Sequence, residues 1–244
     1  MNQIVILAAG KGTRMGSDLP KALVQLKNRP MIHYLLDSVV ASEIDPKPIV
    51  IVSPDNQQII ADALKDYSLQ YAFQTEQLGT GHAVACAKNL IKPETENIIV
   101  LYCDHPFITA KSLRKFSDTK VETVLVIPTK LPDFEGWRHN SYHWGRFVRN
   151  AQGEIEKIVE FKDASDAEKL ITEVNPGFMA FNSTWLWPNI KLLSNNNASH
   201  EYYLTSLPEI AAAEGYKVAS IFIEPEEAVG INSQAELEAA AALL

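Results

Sequence analysis

Short unbroken apolar runs alternate with stretches of helical spacing along the first half of the chain. QIVILAA (residues 3–9) is rich in β-branched residues and stops at Gly10; PIVIVS (48–53) and NIIVLYCD (97–104) are of the same kind, and LQYAF (69–73) and ETVLVIP (122–128) are strand-like. Runs that are apolar at every position predict strands buried on both faces, the habit of parallel sheets. Between them, PMIHYLLDSVVAS (30–42), DNQQIIADALKDY (55–67), GTGHAVACAKNLI (79–91) and TAKSLRKFSDT (109–119) carry apolar groups at helical spacing. The second and fourth open on cap-type residues. Strand and helix alternating over short connections predict an α/β fold, a Rossmann-like, open, mainly parallel twisted sheet.

The middle of the chain breaks this rhythm. LPDFEGWRHNSYHWG (131–145) is rich in turn formers and aromatics, has no clean period, and is expected to be a long surface loop. RFVRNAQGEIEKIVEF (146–161) predicts a hairpin turning at Gln152–Gly153, the start of a small β subregion. VNPGFMAFN (174–182) and KVASIFIEP (217–225) predict single strands. STWLWPNIKLL (183–193), EYYLTSLPEIAAAEG (201–215) and SQAELEAAAALL (233–244) predict helices, with Pro188 and Pro208 bending or ending a turn. No repeat or linker interrupts the chain, so residues 1–244 are expected to form one domain.

Composition narrows the class. With 244 residues and 46% hydrophobic content a sizeable core can be buried. The net charge of −8 argues against nucleic acid as a partner. No apolar run reaches the length of a membrane span, and the start lacks a basic segment of the signal-peptide kind. Two cysteines, Cys86 and Cys103, form no disulfide framework. A cytoplasmic location is therefore expected, with no membrane partner.

Against that acidic background the loop LAAGKGTRMGSDLPKAL (7–23) gathers glycines at 10, 12 and 16 and the cations Lys11, Arg14 and Lys21. Such a loop after the first strand of an open α/β sheet suits a polyphosphate: glycines let backbone N–H groups approach an anion and the cations neutralise it. It is neither a P-loop nor a dinucleotide fingerprint, because Met15 stands where each needs a glycine. The plain alternative is a glycine-rich turn with solvated basic side chains. A solvent-facing Lys21 at a helix start would oppose the helix dipole unless an anion lay nearby.

The same stretch resembles the signature of the sugar-phosphate nucleotidyltransferases. More specifically, the chain resembles the uridylyltransferase domain of the bacterial N-acetylglucosamine-1-phosphate uridylyltransferases. Matching segments recur in order: QTEQLGTGHAVACA, LYCDHPFIT, GRFVRN, KIVEFKDASDAEK, EVNPGFM, SNNNASHEYYLT and EAVGINSQAEL. The resemblance implies a nucleotide-diphospho-sugar transferase fold. It also implies UMP transfer from UTP to a sugar 1-phosphate, assisted by Mg²⁺. Arg14 and Lys21 would serve the triphosphate as catalytic cations, and Leu7, Ala8, Ala9, Gly10 and Gly12 would line the nucleotide. Gln74, Gly79 and Thr80 would meet the uracil, although Thr80 also reads as a helix cap. Asp104 and Asn232 would hold the metal, although Asn232 alone reads as an ordinary helix cap. Gly145, Glu160 and Asn175 would meet the sugar.

The chain departs from the family pattern around the sugar. Pro176 stands in place of the usual threonine, Cys103 in place of a glycine, and the loop before Gly145 is long and carries Trp137 and Trp144. That loop is expected to close over the sugar; the alternative is that both tryptophans pack on the domain surface. His139 and His143, four apart, suggest a metal pair only on a helix this segment does not favour. Cys103 beside His105 reads as a core cysteine sooner than as a nucleophile. The hexapeptide repeats of an acetylating β-helix are absent up to Leu244, so neither that activity nor the trimer it builds is expected. Two other readings stay open: transfer to another sugar phosphate or from dTTP, and a non-catalytic nucleotide-sugar sensor.

Overall fold

The computed structural model describes residues 1–10, 12, 15 and 19–244. Strand β1 (Asn2–Leu7) is buried from Gln3 onward. A small hairpin follows, β2 (Gln25–Leu26) and β3 (Arg29–Pro30), turning on Lys27 and Asn28 at positive φ. Then α1 (Met31–Ser42), β4 (Ile49–Val52), α2 (Gln57–Ala63), β5 (Gln70–Phe73), α3 (Thr80–Cys86), β6 (Asn97–Tyr102), α4 (Ala110–Asp118) and β7 (Val124–Val126) alternate. The second half supplies β8 (Thr129–Lys130), β9 (Gly145–Arg149), β10 (Ile155–Val159), α5 (Asp166–Lys169), β11 (Glu173–Asn175), β12 (Met179–Asn182), α6 (Ser183–Asn189), α7 (Leu207–Ala213), β13 (Ala219–Ser220) and α8 (Gln234–Ala241).

Seven strands form the main sheet in the order β13-β7-β12-β6-β1-β4-β5. β1 pairs parallel with both β4 and β6, and β4 with β5. The chain winds outward from β1 through β4 and β5, then returns to β6 on the other side. That reversal makes the gap between β1 and β6 the topological switch point, where α/β sheets bind ligands at the carboxyl ends. Along β1, Ile4, Ile6 and Ala8 face a core shared with Leu35, Val39, Leu113 and Phe116, while Val5, Leu7 and Ala9 face one shared with Val84, Leu186 and Leu207. Both faces are covered, which is why the strand is apolar at every position from Ile4 onward. Asn56 ties β1 to β4: its side chain accepts from Ser53 N at 2.8 Å and donates to the Ala8 carbonyl at 3.0 Å.

A second, antiparallel sheet runs β10-β9-β11-β8. Its β9–β10 hairpin turns through Gly153 at φ +79, as the sequence predicts. Several expectations need correction. Residues 174–182 are not one strand: Pro176–Gly177 breaks them into β11, in the small sheet, and β12, which inserts antiparallel between β6 and β7. Residues 136–143 are not irregular but form 3₁₀ turns. The late strand is only two residues long, and the helix expected over 201–215 begins at Leu207 after a 3₁₀ turn, with Pro208 in its first turn, where a missing N–H costs nothing. No helix among the described residues is long and apolar enough to cross a membrane.

Candidate active site

The loop after β1 delivers Lys21. Pro20 holds an extended backbone, and Ala22 and Leu23 bury themselves under the sheet. These two anchors bracket the lysine and aim it at the end of β6. Gly12, at φ +65, passes so close that a Cβ there would lie 2.8 Å from the Lys21 Cβ. Glycine at 12 thus serves the loop's own packing. Arg14 lies outside the described residues.

Asp104 sits two residues beyond β6, at the switch point. Its Oδ2 is in contact with the Lys21 ammonium, which also donates to Asn232 Oδ1 at 2.7 Å. Its Oδ1 pairs with His105 Nδ1 at 3.0 Å. Burial pushes the Asp104 carboxyl up, but the charge of Lys21 and the His105 pairing outweigh it and hold it well below the usual carboxylate range. Asn232 is not a helix cap: Ser233 caps α8, accepting from Glu236 N at 3.3 Å. The Asn232 backbone N–H is instead engaged by the Glu236 carboxylate. So one carboxylate oxygen and one amide oxygen, 128 positions apart in sequence, converge on a single positive charge. That donor set fits Mg²⁺, which needs only one or two protein oxygens and completes its shell with phosphates and water. Among the described residues no group of three or more His, Cys, Asp or Glu could cage a metal alone, and His139 stacks on Tyr142.

On one side of Asp104 lies a cavity of about 220 Å³ lined by Leu7, Ala9, Gly10, Gln74, Gly79 and Thr80. Ala8 points away into the core. Gln74 is buried, and its Nε2 donates to the Gly79 carbonyl at 3.0 Å. Gly79 has φ +110, and a Cβ there would lie 2.8 Å from the Tyr202 backbone. Thr80 does not cap α3 through its side chain; its hydroxyl accepts from Leu204 N at 3.0 Å. Gln77, not singled out in the sequence, donates to the Ala9 carbonyl at 2.7 Å and ties this segment to the end of β1.

On the other side lies a cavity of about 360 Å³ that includes Gly145, Glu160, Asn175, Trp144 and Asn232. Tyr102, Thr80, Asp104 and Glu201 border both cavities. Glu160 Oε1 accepts from Thr205 Oγ1 at 2.7 Å. Burial pushes the Glu160 carboxyl up, and the negative charges of Asp163 and Glu201 add to the shift, against the Thr205 hydrogen bond. Asn175 Oδ1 accepts from Gly177 N at 3.0 Å. The two tryptophans of the preceding loop divide: Trp144 lines the cavity, while Trp137 packs against the buried cluster that includes Met15, Leu26 and Met31.

Arg146 fixes the end of that loop. It is fully buried, donates to the Tyr142 carbonyl at 2.6 Å and to the Trp144 carbonyl, and lies 5.0, 5.7 and 5.5 Å from the ring centroids of Phe134, Tyr142 and Phe161. Only the alternation of GRFVR hinted that this arginine points inward. Cys103 is a buried core residue whose thiol is pushed up to about 12 by burial, with the Asp104 charge adding to it. A larger cavity, about 670 Å³, lies at the amino ends of β4 and β5 between Val40, Pro46 and Tyr67. It is on the opposite edge from the switch point and holds none of these groups.

Residues 4–164 match the family model of the MobA-like NTP transferase domain. Over 98% of its length the chain is 41% identical to the bifunctional protein GlmU of Ruegeria sp. (strain TM1040) and 40% identical to that of Bordetella petrii. Over 96% it is 36% identical to the GlmU protein of Caldicellulosiruptor saccharolyticus. It spans about half the length of these relatives, 52%, 52% and 50%.

Proposed function

The chain belongs to the family of MobA-like NTP transferase domains, and on that premise we propose that it transfers UMP from UTP to N-acetylglucosamine 1-phosphate, releasing pyrophosphate. The observation that carries this reading is the convergence of Lys21, Asp104 and Asn232 between two cavities at the switch point. The sugar phosphate attacks the α-phosphorus of UTP in line with the departing pyrophosphate. Nucleophile and leaving group are both phosphate oxygens, so no general base is required, and the residues serve to align and to neutralise. Lys21 and Arg14 neutralise the triphosphate. Asp104 and Asn232 hold Mg²⁺, which when bound supplies further charge neutralisation on the phosphates.

Gln74 reads the base. With Nε2 committed to the Gly79 carbonyl, its Oε1 remains as an acceptor for an imide N–H, which uracil and thymine have and cytosine lacks. Glu160, Asn175 and the backbone at Gly145 take the sugar hydroxyls and acetamido group. A pyrophosphate-release assay across nucleoside triphosphates and sugar 1-phosphates tests the reading. UTP with N-acetylglucosamine 1-phosphate is expected to be the fastest pair. A faster pair with another sugar or with dTTP would reassign the substrate. No release from any pair, with UDP-sugar still bound, would make the protein a sensor; the presence of Lys21, Asp104 and Asn232 favours the enzyme.

Glu160 sets function against stability. A carboxyl whose folded pKa is raised costs stability at pH above its ordinary range, and the cost disappears as pH falls through the raised value. Glu160→Gln is therefore expected to raise Tm near neutral pH and to leave it unchanged in acid, as read by calorimetry. The same change is expected to lower kcat/KM for the sugar phosphate by roughly ten- to a hundredfold, the worth of a charged hydrogen bond to a hydroxyl.

The loop tryptophans differ in kind. Trp144→Ala is expected to shift the kcat/KM ratio between N-acetylglucosamine 1-phosphate and glucose 1-phosphate while the KM for UTP holds. Trp137→Ala is expected to cost roughly 2 kcal/mol of stability and leave the ratio alone. Steady-state kinetics with both sugars, beside a melt, separates the two.

A further inference from the structure

Lys21 lines the nucleotide cavity and serves, in the reading above, the triphosphate; its ammonium is nonetheless engaged by two oxygens of the protein itself. Its ammonium lies against Asp104 Oδ2 and 2.7 Å from Asn232 Oδ1, the two oxygens that would hold the metal. The surroundings fix those oxygens there. His105 Nδ1 takes the other Asp104 oxygen at 3.0 Å, and the Glu236 carboxylate engages the Asn232 backbone. Lys21 itself starts from an anchored backbone, with its neighbours Ala22 and Leu23 buried. One site built for one cation is thus filled by the protein's own. Two cations cannot share it: at contact distance in a poorly screened pocket their repulsion is large.

We propose that Lys21 is an internal counter-cation that occupies the metal position of the nucleotide-free protein and withholds it from divalent ions. A triphosphate offers the ammonium a second anionic partner within reach of its flexible side chain. Once Lys21 turns to the phosphates, Asp104 and Asn232 are released, so metal entry is coupled to nucleotide entry. The arrangement also keeps Asp104 paired at every stage: a buried carboxylate left without a cation is costly, and here it exchanges one for another. This inference rests on the proposed function for the identity of the triphosphate, but not for the competition between Lys21 and a metal.

The test uses Mn²⁺ alone, without nucleotide, followed by its paramagnetic resonance as it binds. The unaltered protein is expected to bind Mn²⁺ weakly. Lys21→Met, which keeps the length and removes the charge, is expected to bind it about tenfold or more tightly, and Lys21→Met with Asp104→Asn to lose that gain. Equal Mn²⁺ affinity in the unaltered protein and Lys21→Met would overturn the proposal. A second measurement needs no variant: acylation of Lys21, read by mass spectrometry, is expected to be slow in metal-free protein and faster at saturating Mn²⁺, which displaces the ammonium. Acylation unchanged by saturating Mn²⁺ would overturn it equally. The two readings fail separately: tighter Mn²⁺ binding without any nucleotidyl transfer would remove the proposed activity and leave the competition standing. Transfer with Mn²⁺ affinity indifferent to Lys21 would do the reverse.

Discussion

Lys21→Ala is expected to lower turnover by roughly a hundredfold to a thousandfold, the usual loss when one group that stabilises transition-state charge is removed. The loss falls mainly on the chemical step, because charge on the phosphates expands as pyrophosphate departs. Single-turnover rates read it; a rate equal to that of the unaltered protein would take Lys21 out of the mechanism. From the sequence alone the same change promises little loss of stability, and the structure corrects this. Lys21 partners a buried carboxylate, and removing one member of a buried pair leaves the other poorly compensated. With His105 still paired to Asp104, a cost of about 1–3 kcal/mol is expected in metal-free buffer. The sign of the pH dependence follows from the depressed Asp104 pKa. Such a group adds stability that is fully present above the ordinary carboxylate range and is lost as pH falls through and below it. The acid limb of a stability–pH curve is therefore expected to be flatter in Lys21→Ala.

Asp104→Ala is expected to abolish both activity and its dependence on Mg²⁺. It removes the charged one of the two oxygens that converge on the Lys21 ammonium, and it strips Lys21 and His105 of their shared partner. Asp104→Asn keeps an oxygen and discards the charge, so weak activity recovered at raised Mg²⁺ is expected, as a lower affinity for the ion would produce. Rates titrated against Mg²⁺ for both variants check this. A fully active Asp104→Ala protein would mean that the metal is held elsewhere.

The parts of this fold legible in the sequence are those whose physics is local. β4 is apolar at every position, and β1 and β6 are so after their polar first residues, because both faces of a parallel sheet are covered, and Thr109 and Ser233 cap α4 and α8 as their residue types suggest. Pairing direction is not local. Nothing in MAFN says that β12 runs antiparallel between β6 and β7, and a two-residue strand such as β13 has too few positions to show a period.

The site divides in the same way. The glycine loop and the acid ending a strand could be seen, and the family resemblance named their partners. That Lys21 rests on Asp104, 83 positions away, and on Asn232, 211 away, depends on where the chain reverses across the sheet. Thr80 has a cap residue's chemistry, yet its hydroxyl goes to the Leu204 backbone, because the 201–204 segment lies against that turn. Arg146 resembled any strand arginine until the carbonyls of Tyr142 and Trp144 surrounded it.

Phosphorus resonance on a mixture of the protein, UTP, N-acetylglucosamine 1-phosphate and Mg²⁺ separates nucleotidyl transfer from hydrolysis, because it sees every phosphorus at once. Mg²⁺-dependent transfer predicts that the sugar-phosphate signal declines as paired diphosphate-diester signals and pyrophosphate grow in equal amounts, and that nothing changes when Mg²⁺ is removed. A sugar-phosphate signal that stays constant while UTP breaks down, or a spectrum that stays unchanged with Mg²⁺ present, would contradict it.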